Sequence, residues 1–191
     1  ADVTLLLRLV IGTERPQTGE IRLFGRDLAA ADEEEALALC ARVGIVWPAG
    51  GFVSNLKTWE NILLPLWYHG GRDAADREGE VLELLERLGL AAARIPDFLA
   101  ALPGSLSARE QRLLGAARAL LMDAELMIYA GLFEGLDEPT RERLREETAR
   151  HHARREGRAS LFVAAGPQGL PEPFAGAWLR QDAQGGIVPW P

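Results

Sequence analysis

Three short apolar runs, at residues 43–47 (VGIVW), 126–129 (LMIY) and 161–164 (LFVA), constrain this 191-residue chain more than any other feature. None approaches the roughly 18 apolar residues that a membrane-crossing helix needs. A strand covered on both faces reads as a continuous apolar run, whereas a half-exposed one alternates. Such strands, separated by helix-patterned stretches, predict a parallel sheet with helices packed over it.

The stretches between them fit that plan. Residues 4–11 read as an apolar helix closed by Gly12. Residues 19–24 alternate Ile21 and Leu23 with Glu20 and Arg22 and read as a strand. The acids at 32–35 suit a helix N-terminus ahead of residues 36–42. Val81, Leu84, Leu85 and Leu88 repeat at helical spacing before Gly89. Ser107 and Glu110 form an S-x-x-E capping box for a helix through Leu121. Pro139 sits in the first turn of a charged helix reaching about Arg155. Residues 177–188 read as a hairpin turning at 182–186. Residues 50–104 are mostly helical and form a sub-domain beside the sheet.

The net charge of −7 and pI near 5.1 argue against a nucleic-acid partner, which a basic face would recognise. The single Cys40 excludes an internal disulfide. No Cys/His set has metal-ligand spacing. His151 and His152 fall on the polar helix and are expected to be solvated. The chain opens at Ala1 rather than Met, which leaves room for upstream residues.

Several segments, in order, resemble an ABC transporter ATPase. TLLLRLVIG is similar to the helix after the phosphate loop, and TGEIRLFGRDL to the strand pair that follows. VGIVWPAGGFVSNLKTWENILLPL resembles the Q-loop and the start of the helical sub-domain. LPGSLSAREQRLLGAARALLMDAEL resembles the signature motif, its helix and the approach to the Walker B strand. GLDEPTRERLREE resembles the D-loop and next helix, and QDAQGGIV the terminal hairpin. The Q-loop segment is most similar to Mla-type ATPases of phospholipid transport. The implied fold is α/β: a P-loop NTPase-like ABC ATPase core with a mostly parallel sheet plus a helical sub-domain, the N-terminal part lacking. The core would hold residues 1–49 and 122–191, and the sub-domain residues 50–121.

Laid on that pattern, the residues that handle nucleotide are replaced. A P-loop needs backbone amides around the phosphates, a lysine, and a hydroxyl for Mg²⁺. Aligned on Arg8, Val3 stands at the lysine and Thr4 at the hydroxyl position, with Asp2 at a glycine. Pro48 stands at the Q-loop glutamine, without a side-chain donor or an N–H. The signature glycines become Ala108 and Arg109 between Ser107 and Glu110, and Arg109 is expected to block the approach to phosphate. After the apolar strand, Ala130 and Gly131 replace the Asp that holds Mg²⁺ and the Glu that polarises water. Ala165 stands at the switch histidine. Asp137 reads as the D-loop aspartate and a helix N-cap; in the opposite reading Asp137 and Glu138 are catalytic, although Glu134 and Gly135, not an apolar strand, precede them.

The resemblance therefore implies a non-catalytic, pseudo-ATPase subunit on the cytoplasmic face of the inner membrane. It would dock on a transmembrane permease of lipid transport through Phe52, Leu56, Trp59, Leu64 and Trp67, and pair with itself or with an intact ABC ATPase. No cofactor is expected; the alternative is ATP and Mg²⁺ bound weakly or mainly by a partner subunit. Two other readings stand beside it: an active ATPase whose phosphate loop lies upstream of Ala1, and a soluble scaffold that has left transport.

Overall fold

A computed structural model describes residues 3–48, 50–69, 77–164, 179–181 and 187–189, the last two segments as backbone. The chain runs α1 (Val3–Val10), β1 (Arg22–Leu23), β2 (Arg26–Asp27), α2 (Glu33–Cys40), β3 (Val43–Val46), α3 (Thr58–Tyr68) and α4 (Glu78–Arg87). It continues through α5 (Ile95–Ala100), α6 (Ala108–Leu120), β4 (Leu126–Ala130), α7 (Glu138–Ala153), β5 (Ala159–Val163), β6 (Leu179–Gln181) and β7 (Ile187–Pro189).

The three apolar runs are the three strands of a parallel sheet in the order β3-β4-β5. β4 alternates its side chains between two separate cores. Ile128 and Ala130 face Leu7, Leu23 and Val43 beneath α1. Met127 and Tyr129 face the larger core, which includes Ile62, Leu85, Leu113 and Leu144 from α3, α4, α6 and α7. The period-two alternation of a strand puts consecutive residues into opposite layers, so one five-residue run supports both.

The helices begin and end where local chemistry directs. Asp32 accepts the Glu35 amide at 2.8 Å and caps α2. Ser107 accepts the Glu110 amide at 3.2 Å while Glu110 accepts the Ser107 amide at 3.0 Å, the reciprocal box that starts α6. Asp137 caps α7 through the Thr140 amide, with Pro139 in the first turn. α1 closes through amides of Gly12 and Thr13 donated to the carbonyls of Leu9 and Arg8. The hairpin β6-β7 pairs Leu179 with Pro189, and its turn lies outside the described residues.

Two expectations are corrected. The strand expected over residues 19–24 is only Arg22–Leu23, because the chain reverses at once through Phe24 and Gly25, both with positive φ. Such a two-residue reversal brings the return strand straight back and limits the ladder. His151, expected in solvent, is only 4% exposed. Thr140, Leu144, Glu147, Thr148 and His151 form the inward stripe of α7, at i, i+4, i+7, i+8 and i+11. The stripe is polar, so hydropathy alone did not reveal it.

His151 donates from Nε2 to the Met122 carbonyl at 3.0 Å, and its Nδ1 faces the Arg158 guanidinium at 3.1 Å. Arg158 also donates to the Ala124 carbonyl at 2.7 Å and to Asp123. The network ties α7 to the turn between α6 and β4. Burial, and then the Arg158 and Arg154 charges, lower the His151 pKa to about 4, against the opposing Met122 and Asp123 contacts.

Since the unfolded imidazole takes up its proton first, near 6.5, stability is full above that pH and falls as pH drops toward 4. The loss is expected to reach about 2–3 kcal/mol, and His151→Gln should flatten the profile in urea titrations run across this range. Tyr129, 1% exposed, carries a hydroxyl with no hydrogen-bond partner among the described residues. An unmet buried hydroxyl costs about 1–3 kcal/mol, so Tyr129→Phe should leave the melting temperature unchanged or higher.

Candidate functional site

The ends of β3 and β4 point to one region of the molecule. Between them, the first turns of α6 and the loop before α7 lies a cavity of about 570 Å³, lined by Trp47, Pro48, Gln111, Arg112, Glu134 and Leu136 among others. The cavity brings together Pro48, Ala108 and Leu136, which lie far apart in sequence; Ala130, Gly131 and Asp137 do not line it.

At the β3 end, Pro48 offers only its carbonyl, which accepts from Arg112 at 2.8 Å. The guanidinium thus braces this loop from α6. At the β4 end, Ala130 is fully buried and the Gly131 amide donates to the Val163 carbonyl at 2.8 Å. Gly131 has φ +61°, and a Cβ there would come within 3.2 Å of the Glu134 carboxylate. The turn after β4 is therefore built for glycine: a larger residue would adopt a costly backbone and meet a neighbouring acid.

Asp137 is committed to its own helix. The Thr140 hydroxyl and amide hold its carboxyl below the usual carboxylate range, with a smaller contribution from the Arg109 charge. Ser107 and Glu110 are engaged with each other, and the Ser107 amide is the main cause of the lowered Glu110 pKa. Ala108 lines the cavity wall. Arg109, expected to block the approach to phosphate, is engaged within its own chain. Its Nε donates to the Thr140 hydroxyl at 2.9 Å and its Nη2 to the Gly89 carbonyl at 3.1 Å. It joins the end of α4, the start of α6 and the start of α7, because the carbonyls left open at a helix C-terminus attract a cation.

Val3 packs against the Leu7 core, and Thr4 lies half-buried in the first turn of α1. Ala165 lies outside the described residues, as does Asp2. Among the described residues, no group of three or more His, Cys, Asp or Glu side chains is placed to hold a metal ion.

The residues expected to dock a permease are divided by the fold. Phe52 and Trp59 pack against the larger core, Leu56 is half-buried, and Trp67 is 44% exposed. Leu64 lines a separate groove of about 510 Å³ between α2, β3 and α3, with Leu37, Trp47, Pro65, Tyr68 and Arg118. The sequence pattern marked the aromatic residues but not Leu37 or Arg118, which come from elements on either side. Asn61 was also missed. It is fully buried, accepts the Val53 amide at 2.9 Å, and donates to the carbonyls of Val53, Leu56 and Lys57 at 2.9–3.1 Å. It therefore shapes the loop leading into α3. A lone Asn in an apolar stretch gives no sign in sequence of the four backbone groups it satisfies.

A family model described as ABC transporter matches residues 3–141. The chain belongs to the ABC transporter family. It is 38% identical over 140 residues to the methionine import ATP-binding protein MetN 2 of Burkholderia mallei (strain ATCC 23344), covering 73% of this chain and 34% of that protein. It is 31% identical over 144 residues to MetN of Caulobacter vibrioides, covering 75% and 42%. The chain thus spans well under half the length of these relatives. The dimeric ABC transporter cassette MJ0796 superposes with a TM-score of 0.74 at 20% identity, over 87% of this chain and 71% of that one. The same cassette with ADP and Pi gives 0.73. The expected α/β ABC ATPase fold is therefore the observed one. The methionine-import relatives lend no support to the phospholipid reading of the Q-loop segment.

The Arg109 contacts carry a prediction. Arg109→Ala removes two part-buried hydrogen bonds that join three helix termini and should destabilise the fold by about 1–3 kcal/mol, read from urea midpoints. A variant as stable as the parent would show that the three termini do not depend on this guanidinium.

Proposed function

We propose that this chain is a non-catalytic ABC-family subunit that braces a membrane permease instead of driving it with ATP. Membership in the family implies ATP and Mg²⁺ as the ordinary ligands, and permease and second ATPase subunits as the ordinary partners. The residues present do not fit the ligand. The single observation that carries the reading is the end of β4: its position in the sheet is intact, but Ala130 and Gly131 supply no carboxylate for the metal or for water. The left-handed backbone at Gly131 further disfavours a glutamate there. Pro48 offers a carbonyl already bonded to Arg112, and Arg109 is engaged within its own chain. Val3 supplies no cation.

What survives is the scaffold and its groove. No helix among the described residues is long and apolar enough to cross a membrane. Trp47, Leu64, Pro65 and the exposed Tyr68 give the groove apolar and aromatic walls that suit a partner helix. We place the chain peripherally at the cytoplasmic face of the inner membrane, paired with itself or with an intact ATPase subunit. Residues 50–121 act as the helical sub-domain beside the core. The names of the relatives favour a small-molecule importer over lipid traffic as the setting.

Calorimetry with Mg²⁺ and ATP should show no saturable binding to the purified chain. A micromolar affinity would restore the active-ATPase reading. A chain that binds no nucleotide and never co-purifies with a membrane protein would instead be the soluble scaffold.

A further inference from the structure

We propose that the cavity at the ends of β3 and β4 binds a small monocarboxylate with an apolar body, its carboxylate held by Arg112. The proposal goes beyond the bracing role and rests on the reading above in one respect, that nucleotide does not occupy this cavity.

The cavity has the size of a small-molecule site. Its volume is about 570 Å³, within the range of roughly 300–1,000 Å³ in which proteins enclose such ligands. Gly50, Gly115 and Gly135 line it and put no side chain into the space. A Cβ on Gly115 would touch only Phe52 and Val46, each at 3.7 Å, and one on Gly135 would meet nothing within 4 Å. Much of the wall is apolar. Val46 is 1% exposed, and Trp47 and Leu136 are half-buried. These residues call for an apolar or aromatic ligand body.

One cation stands in this wall. Arg109 and Arg118, the other arginines of α6, do not line it, so Arg112 is its positive charge among the described residues. Arg112 is half-buried, and its Nη1 donates to the Pro48 carbonyl at 2.8 Å. A guanidinium carries five N–H donors in a rigid fork. The Pro48 bond holds the fork in place and leaves its Nε and Nη2 pair unspent. That pair matches the two oxygens of a carboxylate. The amide nitrogen of the neighbouring Gln111 is already satisfied by the carbonyls of Pro103 and Leu106, at 3.1 and 3.3 Å. The exposed Glu134 lines the cavity from the loop before α7. Its charge repels a second negative group, which disfavours dicarboxylates and phosphates. One carboxylate on an apolar body meets these conditions.

The test titrates the full chain by calorimetry with 4-phenylbutyrate, its neutral amide 4-phenylbutyramide, and 4-phenylbutylamine. The acid is expected to saturate one site, with the millimolar affinity of so small a ligand or better. The amide should bind roughly tenfold more weakly, as loss of a charge-assisted pair implies, and the amine should not bind. Arg112→Gln should weaken the acid by the same factor. Because that variant also releases Pro48, Ala108→Phe serves as a second. Ala108 is exposed and lines the cavity, so the added ring fills the space from the solvent side without entering the core. It should abolish binding and leave the melting temperature unchanged. Equal affinity for acid and amide, acid binding that survives both variants, or no saturation up to about 50 mM overturns the proposal. A separate titration adds Mg²⁺ and ATP. Nucleotide that binds and displaces the acid overturns both the proposal and the non-nucleotide reading, whereas nucleotide that binds without displacing it overturns that reading alone.

Discussion

Strand β4 is hydrogen-bonded on both edges and buried on both faces, and the rest of the structure is arranged around that constraint. Its parallel partners β3 and β5 satisfy its backbone. Its side chains feed two cores that share little else. A strand in this position is selected for shape and apolarity along its length. Gly131, just past its end, lies outside both cores, and its left-handed backbone answers to the turn instead.

Helix α6 is the second organising element. It starts at the Ser107–Glu110 box, which needs no ligand, and runs along the loop after β3. Along it Arg112 and Arg118 donate to the carbonyls of Pro48, Gly50 and Gly51. That loop separates the cavity at the strand ends from the groove between α2 and α3, and contributes Trp47 to both. In a nucleotide-driven member of such a family, a loop in this place would be expected to respond to ligand. Here it is held by two guanidiniums from a helix anchored in the core. These bonds fix the path of the loop between the cavity and the groove.

The legible parts of the site were those fixed by local chemistry. The capping residues Asp32, Ser107 and Asp137, the apolar run of β4, and the stop at Gly89 follow from hydrogen-bonding needs within a few residues. The illegible parts were side chains whose partners lie far along the chain. Arg109 was read by its place in a motif, yet its contacts are Thr140 and Gly89. His151 was read as solvated because its helix is polar, yet the inward face of that helix is polar as well, and Arg158 and the Met122 carbonyl meet it there. The aromatic segment before and within α3 was read as one surface, but the loop held by Asn61 and the helix turn send Phe52 and Trp59 to the core and leave Trp67 outside.

By itself the sequence determined most of the order of strands and helices and the family fold, because residue identity and short-range periodicity suffice for each. Only the tertiary structure decided where the charges go. Burial and partnership are properties of the packed chain, and a guanidinium such as Arg118 gains its meaning from two glycine carbonyls more than 60 residues away.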